Sequence, residues 1–94
     1  MDKLELFNAL ITIVTPVNSN KAVATSLDQP LNETGLDSLD LLMMGVYLSD
    51  LYGVPEEIAK QMKPTTVYEM FSFVEGHQTK PLPATVQEAI DSVK

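Results

Sequence analysis

The sequence contains no cysteine and a single histidine, and its 94 residues carry six bases against thirteen acids. Without cysteine there is no disulfide framework and no thiolate metal site, so any thiol chemistry must be imported. No apolar run approaches the roughly 20 residues that cross a bilayer. No basic segment leads into a long apolar stretch at the N-terminus, because Asp2 and Glu5 interrupt it at once, so the chain reads as cytoplasmic. The shortage of bases is local. Residues 37–57 hold Asp37, Asp40, Asp50, Glu56 and Glu57 with no lysine, whereas residues 58–94 balance four lysines against Glu69, Glu75, Glu88 and Asp91. Basic partners are steered to the acidic stretch, and nucleic acid is repelled.

What is present is enough for one core. The length suits one domain, and a 45% hydrophobic composition is ordinary for a globular chain. Leu4, Phe7, Leu10, Ile11 and Val14 recur three or four apart, which predicts an amphipathic helix over residues 3–14, stopped near Pro16. Leu6 and Ile13 lie off that stripe, and one of them is expected to be partly exposed. Residues 16–37 read as a long polar loop pinned by Val23, Leu27, Leu31 and Leu36, with a short helical turn at Ala22 to Leu27.

The sequence is organised around residues 33–53. Asp37 suits an N-cap, with Asp40 three residues on to reach back, and helix-forming residues then run to Tyr52 with Gly53 beyond. Ser38 falls in the first turn, where unpaired N–H groups and the helix dipole favour an anion, so a phosphate ester on its hydroxyl is stabilised in place. Projected at about 100° per residue, Leu41, Met44, Leu48, Leu51 and Tyr52 form one apolar stripe, assigned to the core. Leu39, Leu42, Met43 and Val46 form a second, on the other side of Ser38, assigned to docking.

Further on, Val54 to Met62 fits a short helix with Pro55 at its start, acids in its first turn and Ile58 and Met62 as core contacts. Thr66 and Glu69 form a capping-box pattern opening a helix that buries Val67, Met70, Phe71 and Val74 and ends at Gly76. Pro81-Leu82-Pro83 is a stiff break. After it, Val86, Ala89, Ile90 and Val93 stand at helical spacing, with Thr85 and Glu88 as another capping-box pair. A helix of this length is marginal alone and must dock or remain partly disordered.

Gly35-Leu36-Asp37-Ser38-Leu39-Asp40 closely resembles the attachment motif of acyl carrier proteins, in which the serine carries 4′-phosphopantetheine. The resemblance runs over roughly residues 2 to 78, through the first helix, the long loop, the motif helix, the short helix at Pro55-Glu56-Glu57 and the start of the next at Pro64-Thr65-Thr66-Val67. It implies an all-α fold: a small carrier-protein-like bundle of three longer helices and one short, formed by residues 1–78. Residues 79–94 are then an added segment with a further C-terminal helix. It also implies a freestanding carrier of acyl thioesters between enzymes of fatty-acid or specialised lipid or polyketide synthesis, acting as a monomer and not itself an enzyme.

Under that resemblance Ser38 receives the arm from coenzyme A through a phosphopantetheinyl transferase, which supplies Mg²⁺ and the base. Condensing, modifying and acyl-transferring enzymes with basic patches then dock on Asp37, Leu39, Asp40, Leu42, Met43, Val46, Asp50, Glu56 and Glu57. The arm supplies the thiol the sequence lacks, and the apolar interior, with Met44, Met62 and Met70 as adaptable fillers, sheathes the acyl cargo. Met43 stands where the family commonly has glutamate and Tyr47 where it has a small residue, so a specialised pathway is as open as bulk fatty-acid synthesis. From the residues alone, no base accompanies Ser38 in the motif, so a catalytic triad is unsupported. The five acids lack the ordered spacing of a calcium loop. The alternative is a non-catalytic helical interaction module that keeps the fold without using the arm.

Overall fold

The computed structural model describes residues 2–15 and 22–93, so the expected stop at Pro16 lies outside the described residues. Asp2 starts α1, Lys3–Val14, by accepting the N–H groups of Leu4 and Glu5 at 2.9 and 3.1 Å. Phe7, Leu10 and Ile11 are buried as their spacing predicts, with Leu4 and Val14 half-buried. Of the two off-stripe residues, Ile13 is the half-exposed one. Leu6 is buried, and it borders a small cavity together with Leu82, Pro83 and Ala84 of the C-terminal segment.

The long loop is held by polar clamps as much as by apolar anchors. The Asn8 side chain accepts from Ala24 N–H at 2.8 Å and donates to Ala24 C=O at 2.9 Å, which makes Ala24 the buried residue of its stretch and leaves Val23 exposed. That pairing holds the backbone straight, and the expected helical turn at Ala22 to Leu27 does not form. A 3-10 turn at Leu31–Glu33 follows, with Leu31 and Leu36 buried and Leu27 half-buried. The loop is stitched to residues 65–68 by Leu31 N–H to Thr65 C=O, Val67 N–H to Gln29 C=O and Tyr68 N–H to Leu27 C=O at 2.9, 3.2 and 2.7 Å.

α2, Ser38–Tyr52, is the central element, in contact with α1 and with three later helices, α3 (Glu56–Ala59), α4 (Val67–Gly76) and α5 (Val86–Val93). Met44, Leu48, Leu51 and Tyr52 are buried along it. It ends at Gly53, whose φ of +73° is the left-handed cap a glycine adopts without strain. α3, Glu56–Ala59, is a single turn continued by looser i to i+3 bonds as far as Met62, and Ile58 and Met62 are half-buried against the core. α4, Val67–Gly76, buries the four expected residues, and Phe71 meets Phe7 at 6.2 Å between ring centres. Its cap differs in one respect from a capping box. Thr66 accepts from Glu69 N–H at 3.1 Å, but the Glu69 carboxylate passes Thr66 and takes the N–H and hydroxyl of Thr65, both at 2.8 Å. Those bonds lower the Glu69 pKa. Gly76 is the last residue of α4 rather than a left-handed cap beyond it.

Residues 79–93 return across the bundle. Thr79 and Lys80 donate their N–H groups to Tyr52 C=O at 2.9 and 3.4 Å, and the Thr79 hydroxyl donates to Gly53 C=O. A side chain at Gly53 would collide with Thr79 Oγ1 and come within 2.9 Å of Lys80 Cγ, so space as well as φ demands glycine there. α5, Val86–Val93, is capped by Thr85, which accepts from Glu88 N–H at 3.1 Å. It packs on α1 and α2, with Ala89 and Ile90 buried and Val86 and Val93 half-buried. The described residues thus form a small all-helical protein with no strand, and the C-terminal residues 82–93 share its core.

Candidate functional site

Ser38 is placed by what precedes it. Leu36 is buried, and Thr34 beneath it is also buried, its hydroxyl donating to Leu31 C=O at 2.7 Å and accepting from Leu36 N–H at 3.4 Å. Gly35, at φ +92°, turns the chain against Ala22, whose Cα would lie 3.2 Å from an added Cβ. The chain then emerges at Asp37, where the capping box closes in both directions: Asp37 accepts from Asp40 N–H at 2.9 Å and Asp40 from Asp37 N–H at 3.4 Å. Ser38 is therefore the exposed first residue of a helix whose start is fixed on both sides.

Beside it lies a groove of about 460 Å³. Ser38, Leu41, Leu42, Gly45 and Val46 of α2 form one wall, and Glu56, Ala59 and Lys60 of the α3 turn another. Met62, Pro64, Leu31 and Met70 complete it. Of the residues assigned to docking, Leu42, Val46 and Glu56 share this groove with Ser38. Asp37, Leu39, Asp50 and Glu57 are exposed outside its lining, and Asp40 and Met43 are half-buried. Leu39, Leu42 and Val46 are 66%, 63% and 44% exposed, so the second stripe of α2 does face solvent next to the serine. Asp50 stands twelve positions after Ser38, about 18 Å along the helix, and belongs to the far end.

Leu41, placed in the core by its angle, is half-buried: it packs against the core and also lines the groove. Met44 is fully buried in the core, as assigned, and absent from the groove's lining, whereas Met62 and Met70 line it. Sequence reasoning missed Gly45 and Lys60. The signal for Gly45 was its place in mid-helix, where glycine is costly and calls for a packing or functional reason.

His77 follows α4, with Nδ1 3.0 Å from Phe73 C=O and its ring 4.7 Å from the Phe73 ring. Two residues later the chain meets Tyr52, at the opposite end of α2 from Ser38. Among the described residues, no group of three His, Asp or Glu side chains converges as metal ligands would. No helix among them is long and apolar enough to cross a membrane. Compared with protein-family models, with curated proteins and with solved structures, the chain finds no match in any of the three.

Proposed function

We propose that this chain is an acyl carrier, modified on Ser38 with 4′-phosphopantetheine and passed between enzymes that recognise the first half of α2. The observation that carries the reading is an exposed serine, fixed by a closed capping box, on the edge of an apolar groove. The surroundings fit the group. A phosphodiester at the first turn of α2 meets the positive end of the helix dipole, worth about 0.3–1 kcal/mol when exposed. The hydroxyl is exposed and so open to an incoming transferase.

In loading, Ser38 Oγ forms a bond to the phosphorus that bears the pantetheine half of coenzyme A. The adenosine bisphosphate half leaves, and the serine proton passes to the transferase's base. The bound arm supplies the terminal thiol on which acyl groups ride as thioesters. Exposed Leu39, Leu42 and Val46, flanked by Asp37, Glu56 and Glu57, suit partners that present an apolar patch ringed by lysine or arginine.

Intact-mass measurement before and after incubation with coenzyme A, Mg²⁺ and a phosphopantetheinyl transferase tests the reading. The unmodified parent is expected to gain one arm, and Ser38→Ala none. If the folded parent gains nothing, either from a transferase that loads a control carrier or from the one native to its host, the carrier reading is overturned and the interaction module takes its place.

A further inference from the structure

The chain between Lys80 and Thr85 is held by its two ends. Thr79 and Lys80 are bonded to Tyr52 C=O, and Thr85 caps α5. Between them, among the described residues, Pro81, Leu82, Pro83 and Ala84 form no hydrogen bond. Leu82 and Pro83 are half-buried, and with Ala84 they border a cavity of about 280 Å³ that also meets Leu6, Tyr52 and Glu75. The stretch is thus unbonded and packed against open space. Beyond it, α5 brings only Ala89 and Ile90 to full burial. The rest of the core has contacts of its own: α1 packs on α2, α2 on α4, and the Phe7 ring meets Phe71.

Tyr52 supplies a force for opening. Its side chain is buried and its hydroxyl finds no hydrogen-bond partner. Burial raises the pKa of this phenol, and the charge of Glu75 at the cavity raises it further, so the hydroxyl end of the ring lies on the cavity's side. A buried hydroxyl without a partner favours any movement that returns it to water. Pro81 and Pro83 have fixed φ and leave few rotatable bonds between the anchor at Lys80 and α5, which suits a swing of the whole helix about a short hinge.

We propose that residues 81–93 form a conformational latch that lifts from an otherwise folded bundle as one unit, hinged after Lys80, and that lifting admits water to the Tyr52 hydroxyl. α1, α2, α3 and α4 stay folded in the unlatched state. The latch works whether or not Ser38 carries an arm.

Native-state hydrogen exchange of the full chain, parent and Tyr52→Phe, tests this at the amides of Ala89 and Ile90 in the latch and of Leu48 and Phe71 in the core. In the parent, Ala89 and Ile90 are expected to share one protection factor, roughly tenfold or more below that of Leu48 and Phe71. Low urea should change it less than it changes the core value, because opening the latch exposes less surface than unfolding the chain. Tyr52→Phe removes the group that water would satisfy. It should raise protection about fivefold at all four amides, since unlatching and complete unfolding both uncover the ring.

Equal protection of all four amides in the parent would mean that α5 leaves only when the whole molecule unfolds. A gain in Tyr52→Phe confined to Leu48 and Phe71 would mean that α5 frays without uncovering Tyr52. Either result overturns the proposal, as does a gain at none of the four.

Discussion

The first half of α2 exposes Leu39, Leu42 and Val46, while the second buries the hydroxyls of Ser49 and Tyr52, neither of which finds a hydrogen-bond partner. Each half departs from the usual placement of polar and apolar groups, in opposite directions. The cause is what packs on each. α3 is one short turn, and between it and the start of α2 lies a groove beside an exposed apolar strip. Around the C-terminal end, α1, α4 and the strap at residues 82–84 converge, closing Tyr52 into a cavity of about 280 Å³ with Lys3 and Glu75, which pair at 2.6 Å. The exposed half gives up burial and gains access to Ser38. The closed half holds the bundle together and absorbs two unpaired hydroxyls, a cost of about 1–3 kcal/mol for each group left unsatisfied.

If that division is right, substitutions at the two ends should separate stability from loading. Ile90→Ala removes a buried side chain of α5 and should lower stability by about 2–5 kcal/mol in denaturant unfolding, while transferase loading of the folded protein is unchanged. Gly53→Ala meets both the left-handed φ and the Thr79–Lys80 segment and should cost about 1–3 kcal/mol, again with loading intact.

Tyr52→Phe sharpens the contrast through pH. Burial, with a smaller contribution from the Glu75 charge, pushes the Tyr52 phenol up to about 12. Above pH 10 the unfolded chain therefore releases a proton that the folded chain keeps, and stability falls as the pH rises through 12. The loss is on the order of 2 kcal/mol. Unfolding titrations of parent and variant should differ by this limb, and at neutral pH the variant should be as stable or slightly more so. Leu42→Ala should have the smallest effect on folding, within about 0.5 kcal/mol, and slow the transfer of acyl groups to partner enzymes in a steady-state assay. A large loss of stability from Leu42→Ala would break the comparison outright.

The helices were legible because local chemistry specifies them. Asp37 and Asp40 close their box, and the buried residues of α1, α2 and α4 fall largely where their spacing puts them. Errors arose where a distant segment decided the outcome. Nothing near Leu6 announces that Leu82 to Ala84 will stand beside it, and nothing near Val23 shows that Asn8 will seize Ala24 instead. Glu69 obeys the spacing of a capping box and still chooses Thr65, because the extended backbone before α4 offers it two donors. The place of Ser38 at the start of α2 was legible from the capping pair around it, but the groove was not. Periodicity marks an apolar face and cannot tell how far other elements will cover it, so it did not show that Leu41, packed against the core, would also line an open groove.

The Asn8 clamp has a consequence measured in time. A primary amide that pairs with both the N–H and the C=O of Ala24 serves as one rung of a sheet, although no second strand is present there. The Ala24 amide proton is thus tied to α1 in the midst of irregular chain, and it exchanges with solvent only when that segment lifts from the helix. Its exchange rate is a local clock for the opening of the first loop, set by one side chain and readable independently of whatever occupies Ser38.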